Sequence, residues 1–183
     1  MLNNAANVLL ALSHFVISMN FPQGTMRIAG KTPKQWDPKM ELDALAQQNF
    51  SGYVIETLYN GQGIDECALI FRLGQGIGAT YQLHASNQSI TGDASLALLG
   101  NALAVEAGML DVVELSTQQV DLITAFNAKL KFSKPLLKGQ FRSLVKESFD
   151  SSLLPRASGD STASDSKESL FKKFGLAGIE QVR

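Results

Sequence analysis

Apolar and polar residues change rhythm several times along this chain, and each rhythm names an element. In "ATYQLH" the two kinds alternate, with Ile77, Ala79, Tyr81 and Leu83 on one side and Thr80, Gln82 and His84 on the other. That period of two marks a half-buried strand. The preceding runs "GYVIETLY" and "ECALIFRL" are dense in β-branched and aromatic residues, the types that pack well on a pleated surface. "NGQG" (60–63) between them tolerates the positive φ of a hairpin reversal. "FPQGTMRIAG" has turn residues at both ends and a short extended centre, Thr25 to Ala29, and "MLDVVELS" reads as a further strand.

The helical rhythm appears in three places. Before "ELDALAQQNF", Asp37 can cap the first backbone N–H groups and Pro38 suits the first helical position. Leu42, Leu45 and Ala46 then share a face, and Asn49 is a plausible end. "GDASLALLGNALAVEAG" is apolar nearly all round, with Asp93 as the expected N-cap and Gly108 as the stop. "STQQVDLITAFNAKL" opens on a capping box, Ser116 with Gln119. Its expected buried stripe is Val120, Ile123, Phe126 and Leu130, with Asn127 beside it.

The fold class that follows is α+β: a mainly antiparallel sheet of four or five strands built on hairpins, helices packed on one face, then a flexible tail and a short C-terminal helix. The body is expected over 21–130. From 131 to 150 comes a basic segment with Leu137, Phe141, Leu144 and Val145 at helical spacing, 151–166 is Ser-rich like a linker, and 167–183 reads as a docking helix anchored by Leu170, Phe171 and Phe174. A helix that short is not stable alone and must dock, on this body or on another protein. Residues 1–20 form an apolar extension: Val8 to Ile17 lacks a preceding basic residue and falls short of a membrane span. It is expected to pack on the body or a partner, or to lie upstream of a natural start at Met19.

Composition narrows the function classes only slightly. The 183 residues carry a formal net charge of −1, so no global field draws nucleic acid or anionic membrane. A local one exists: between Lys129 and Glu147 lie Lys129, Lys131, Lys134, Lys138, Arg142 and Lys146. Lys134, Lys138, Arg142 and Lys146 are the candidate anionic-surface residues. The segment lacks the interleaved aromatics of single-strand binders, and ordinary solvation of surface lysines weighs more. The lone Cys67 rules out an intrachain disulfide, fits a reducing cytoplasm, and reads as an inert strand residue.

The stretch "FRLGQGIGATYQ", with Gly74, Gly76 and Gly78, poses a choice between a phosphate cradle and a tight turn. A phosphate loop needs a helix directly after the glycines; here a strand pattern follows. The expectation is a hairpin turn at Gly74 to Gly76, and at Gly78 a strand glycine that another group approaches closely. No catalytic residue, cofactor or metal is expected. His14 and His84 are too few and too far apart for a metal centre. Asp65 and Glu66 read as solvated charges at a turn, and His84 as an exposed strand residue. Glu114, Gln118, Gln119 and Asn127 read as caps and surface groups, or as the polar rim of a partner groove.

The elements "FSGYVIETLYNGQGIDECALIFRLGQGIGATYQ", "GDASLALL" and "VVELSTQQVDLITAFNAKL" resemble an archaeal family of uncharacterised proteins, a domain of unknown function. Gly52–Tyr53, Leu73–Gly74, Gly92-Asp93-Ala94 and Glu114 to Asn127 carry the likeness. The stretch before Met19 departs from that family's usual start. More distantly, "F-S-G…I-F-x-x-G-x-I-G-A…G-x-x-A-L" is similar to the PATAN-type module, which implies a non-catalytic interaction unit. The expected function is therefore a cytoplasmic protein–protein interaction adaptor or regulatory module, not an enzyme. Its ligand would be a protein partner or a second copy of the chain. The alternative is a small-molecule or nucleotide-sensing domain with an anion site at the helix start near Asp93.

Overall fold

The computed structural model describes residues 21–59 and 63–154. Its centre is one seven-stranded antiparallel sheet. The strands are β1 (Thr25–Lys31), β2 (Gly52–Tyr59), β3 (Ile64–Arg72), β4 (Gln75–Leu83), β5 (Gln88–Thr91), β6 (Gly108–Glu114) and β7 (Lys131–Leu136). Their order is β1-β6-β2-β3-β4-β5, with β7 also paired to β4. Four helices accompany them: α1 (Pro38–Gln47), α2 (Leu96–Ala102), α3 (Thr117–Phe126) and the single turn α4 (Phe141–Leu144). The fold is α+β, as the alternation predicts.

Helices lie on both faces of the sheet, not on one. The main core holds Val54, Leu58, Leu69, Phe71, Tyr81 and Leu110 from the sheet, with residues of α1, α2 and α4 beneath. Phe71 stacks on Phe141 of α4, ring centroids 5.1 Å apart. The opposite face joins Tyr53, Ile55, Ala68, Ile70 and Val113 to Val120 and Ile123 of α3. β2 and β3 are apolar on both sides, and such a strand pair has two faces to bury.

The glycine stretch does form a hairpin turn, but the reversal lies at Leu73–Gly74 and not at Gly74 to Gly76, because Gln75 and Gly76 already pair with Arg72 and Phe71. β3 ends at Arg72 and β4 begins at Gln75, with Leu73 (φ 49°) and Gly74 (φ 78°) forming the two-residue reversal. Positive φ at both central positions is the hairpin turn whose twist matches its strands. A register shift beside Phe71 then sends Ile77 to the α3 face, so it does not join Ala79, Tyr81 and Leu83. Gly78 lets β7 come close: a Cβ there would sit 2.5 Å from the Leu130 carbonyl oxygen.

Helix caps follow local chemistry. Asp37 accepts the Lys39 N–H at 2.9 Å, ahead of Pro38. Ser116 Oγ accepts the Gln119 N–H at 3.2 Å, and Gln119 Oε1 accepts the Ser116 N–H at 2.9 Å. Ser116→Ala is expected to cost about 1 kcal/mol, read as a lower urea midpoint with an unchanged slope.

The body is longer than the hydrophobic rhythm suggests. The basic segment is not one amphipathic helix; it divides into β7, a connection and α4, and chain packed as far as Leu154 belongs to the core. Buried Asn101 clamps this end, donating to the Asp150 carbonyl at 2.9 Å and accepting its N–H at 2.8 Å. Residues 155–166 of the expected linker, the docking anchors Leu170, Phe171 and Phe174, and the extension 1–20 lie outside the described residues.

Candidate functional site

Two regions carry chemistry or exposure that the fold alone does not require. The first is a row of side chains across the main core: register places Leu110, Glu56, Cys67 and Tyr81 on neighbouring strands, with side chains directly opposite one another. Glu56 is 1% exposed, and neither carboxylate oxygen has a hydrogen-bond partner among the described residues. Its Oε1 lies against Gly108, where an added Cβ would meet it at 2.7 Å. Burial holds the Glu56 carboxyl well above the usual carboxylate range, so the group is kept protonated where an ordinary glutamate would ionise.

The neighbours are bound into the same layer. Tyr81 donates its hydroxyl to Asp65 Oδ2 at 2.8 Å; burial, then this bond and the Asp65 charge, push the phenol far up. Burial also pushes the Cys67 thiol well up. A nucleophilic cysteine needs an environment that favours thiolate; Cys67 has the opposite.

Asp65 and Glu66 are not solvated turn charges. Asp65 is 1% exposed and Glu66 5%. They sit inside β3 beyond the turn, so one faces the main core and the other the α3 face. Glu66 Oε2 lies 3.0 Å from His84 Nε2, and this pairing leaves His84 half-buried rather than exposed. No set of three or more acids, histidines or cysteines suited to a metal ion occurs among the described residues.

The second region is the outward face of α3. Phe126, expected in the buried stripe, is 83% exposed, and Leu122 one turn earlier is 52% exposed. The reason is angular: at about 100° per residue, Val120, Ile123 and Thr124 define the buried arc, and Phe126 falls well outside it. Asn127, the exposed C-cap residue, donates its side-chain amide to the Ile123 carbonyl at 3.2 Å. The polar groups nearby have local tasks: Glu114 pairs with Arg27 at 2.8 Å, and Gln119 completes the cap.

The remaining candidates are placed as follows. Asp93 does not cap a helix; its carboxylate accepts the Ser133 N–H of β7 at 3.0 Å. Gly92 abuts the Lys129 and Lys131 carbonyls, and a 3-10 turn precedes the seven-residue α2. Gly108 starts β6 instead of ending a helix. Lys134 is on β7, Lys138 in the following connection, Arg142 on α4 and Lys146 after it, so no single helix aligns them. Arg142 Nε is bound to Asp43 Oδ2 at 3.2 Å.

This geometry runs through the span matched by a family model described as uncharacterised protein conserved in archaea (DUF2226), residues 19–127. The chain belongs to this family. The DUF2226 span takes in β1 to α3, hence both regions above, whereas β7 and α4 follow it. No curated protein and no solved structure matches the chain. Among the described residues no helix is long and apolar enough to cross a membrane.

Proposed function

We propose that the chain is a non-catalytic protein–protein interaction module, an adaptor or regulator of the cytoplasm, which receives a partner on the outward face of α3. The observation that carries this reading is the exposed pair Leu122 and Phe126. Single exposed apolar residues are ordinary, but a phenylalanine and a leucine at i, i+4 on one rigid helix are the kind of anchor that a partner's pocket buries. The PATAN-type likeness of the glycine hairpin supports a scaffold role. The buried, poorly ionising Cys67 and Glu56 favour packing over chemistry. The apolar residues Leu170, Phe171 and Phe174, on a Ser-rich tether, offer a second contact whose tether raises its local concentration. The dispersal of the basic residues, with Arg142 engaged by Asp43, favours a protein over an anionic ligand.

Crosslinked complexes recovered from native cells test this. Leu122→Asp with Phe126→Asp should leave thermal stability nearly unchanged, because both sites are exposed, while removing a discrete set of partners. Deleting 167–183 should weaken the same set. Identical partners from all three chains would overturn the reading.

A further inference from the structure

Across the outward half of α3, at about 100° per residue, come Asp121, Ala125, Gln118, Leu122 and Phe126 in turn, and all five are exposed. Gln118, Leu122 and Phe126, four residues apart, form one ridge. The small Ala125 leaves a groove between this ridge and the Asp121 flank. That flank is cationic. Asp121 accepts two hydrogen bonds from the Arg72 guanidinium, at 2.7 and 3.1 Å. Lys131 lies on the same side of the sheet: it pairs with Gly78, which pairs with Ile70 of the α3 face, while Phe132 turns into the main core. The bond from Arg72, with a smaller contribution from the Lys131 charge, holds the Asp121 carboxyl below its ordinary value. Lys129, also exposed, follows Phe126 by three residues. Asp121 is the only acid from 117 to 132, and Asp93 is engaged by the Ser133 N–H. Among the described residues neither Lys129 nor Lys131 forms a salt bridge. The apolar ridge is therefore bordered by an excess of positive charge.

We propose that the partner segment seated on α3 is an acidic amphipathic helix, its apolar ridge in the Ala125 groove against Leu122 and Phe126 and its Asp or Glu side chains toward Lys129 and Lys131. This rests on the functional reading of α3 and adds the partner's chemistry. A helix is the fitting element because α3 spends its backbone groups internally and offers no edge to a strand, whereas a ridge beside a small residue receives another ridge. Acidity follows from the two cations without salt bridges, which select a partner of opposite charge. A second copy of this chain would bring the same positive excess. Leu122, Ala125 and Phe126 also offer on the order of 300 Å² of apolar surface, short of the roughly 800 Å² per partner of a stable dimer and suited to one short helix.

A displayed library of helical peptides, with leucines fixed along one stripe and the flanking positions randomised, tests this on the full chain. Recovered peptides should be enriched in Asp and Glu at the flanks. A recovered peptide should bind the Lys129→Gln, Lys131→Gln chain at least about threefold more weakly than the wild type, and the deficit should shrink as salt is raised. It should lose measurable binding to the Leu122→Asp, Phe126→Asp chain. Both variant chains change exposed positions only, so melting temperatures should stay near the wild-type value. Failure to recover any peptide, absence of acidic enrichment, or equal binding by the Lys129→Gln, Lys131→Gln chain would overturn the proposal. If such peptides still need Leu122 and Phe126, the acidic chemistry fails and the α3 reading stands. Binding unchanged by Leu122→Asp with Phe126→Asp would overturn the placement on α3. Self-association of the full chain that those two substitutions abolish would make a second copy the occupant, and would overturn the proposal as well.

Discussion

Gly74→Ala is expected to destabilise the domain by about 2–5 kcal/mol, the sum of left-handed backbone strain and forced displacement of packed backbone. Gly74 holds φ 78°, and a Cβ there would be driven into the Ala46 carbonyl oxygen and against the Asn49 backbone. Ala46 lies in the last turn of α1 and Asn49 just beyond its end, and the Gly74 N–H donates to the Phe50 carbonyl at 2.8 Å. The substitution therefore separates the β3–β4 hairpin from the helix that closes the main core. Chemical denaturation should show a lower midpoint, and a drop smaller than about 1 kcal/mol would contradict the packing described. Gly76→Ala tests a milder case, because the nearest group to an added Cβ is the Phe141 ring at 3.0 Å. A smaller loss is expected there.

Glu56→Met should stabilise the protein, by about 1–3 kcal/mol near neutral pH, because it removes a buried polar group without a partner. The pH dependence identifies the cause. Folded, Glu56 keeps its proton; unfolded, it releases it above its ordinary value of 4.5. Between those two values the folded state binds more protons, so wild-type stability falls as pH rises, by at most about 1.4 kcal/mol per pH unit. Below the ordinary value both states are protonated and the term disappears. The advantage of Glu56→Met should thus be small at pH 4.5 and widen toward pH 8. A variant less stable at every pH would show that the carboxyl is engaged after all.

How much of this could be read from the residues differs by element, for physical reasons. Caps and turns are local: Asp37 with Pro38, Ser116 with Gln119, and the Leu73–Gly74 reversal all follow from chemistry within four residues. The buried acids depend on register. Glu56 shares a face with Val54 and Leu58, and "GYVIETLY" is apolar on both sides of it; that flanking was the available signal for a buried carboxyl. The bond from Tyr81 to Asp65 needs the β3–β4 alignment, which no local pattern reveals. Phe126 continues the i+3 spacing of Val120 and Ile123, but it is the last residue of a helix whose buried arc is Val120, Ile123 and Thr124. β7 has no strand signature in "KFSKPL", because its lysines and proline break the apolar pattern of a buried strand and suit only an edge; among the described residues it pairs with β4, at Gly76 and Gly78, where small residues admit it.

The most direct measurement of the central claim places a photo-crosslinking phenylalanine analogue at position 126 in native cells, with position 147 as an equally exposed control on another surface. The account predicts a discrete protein adduct at 126 that is absent at 147 and lost when Leu122 is replaced by Asp. No adduct at 126, or the same adducts at both positions, would contradict it.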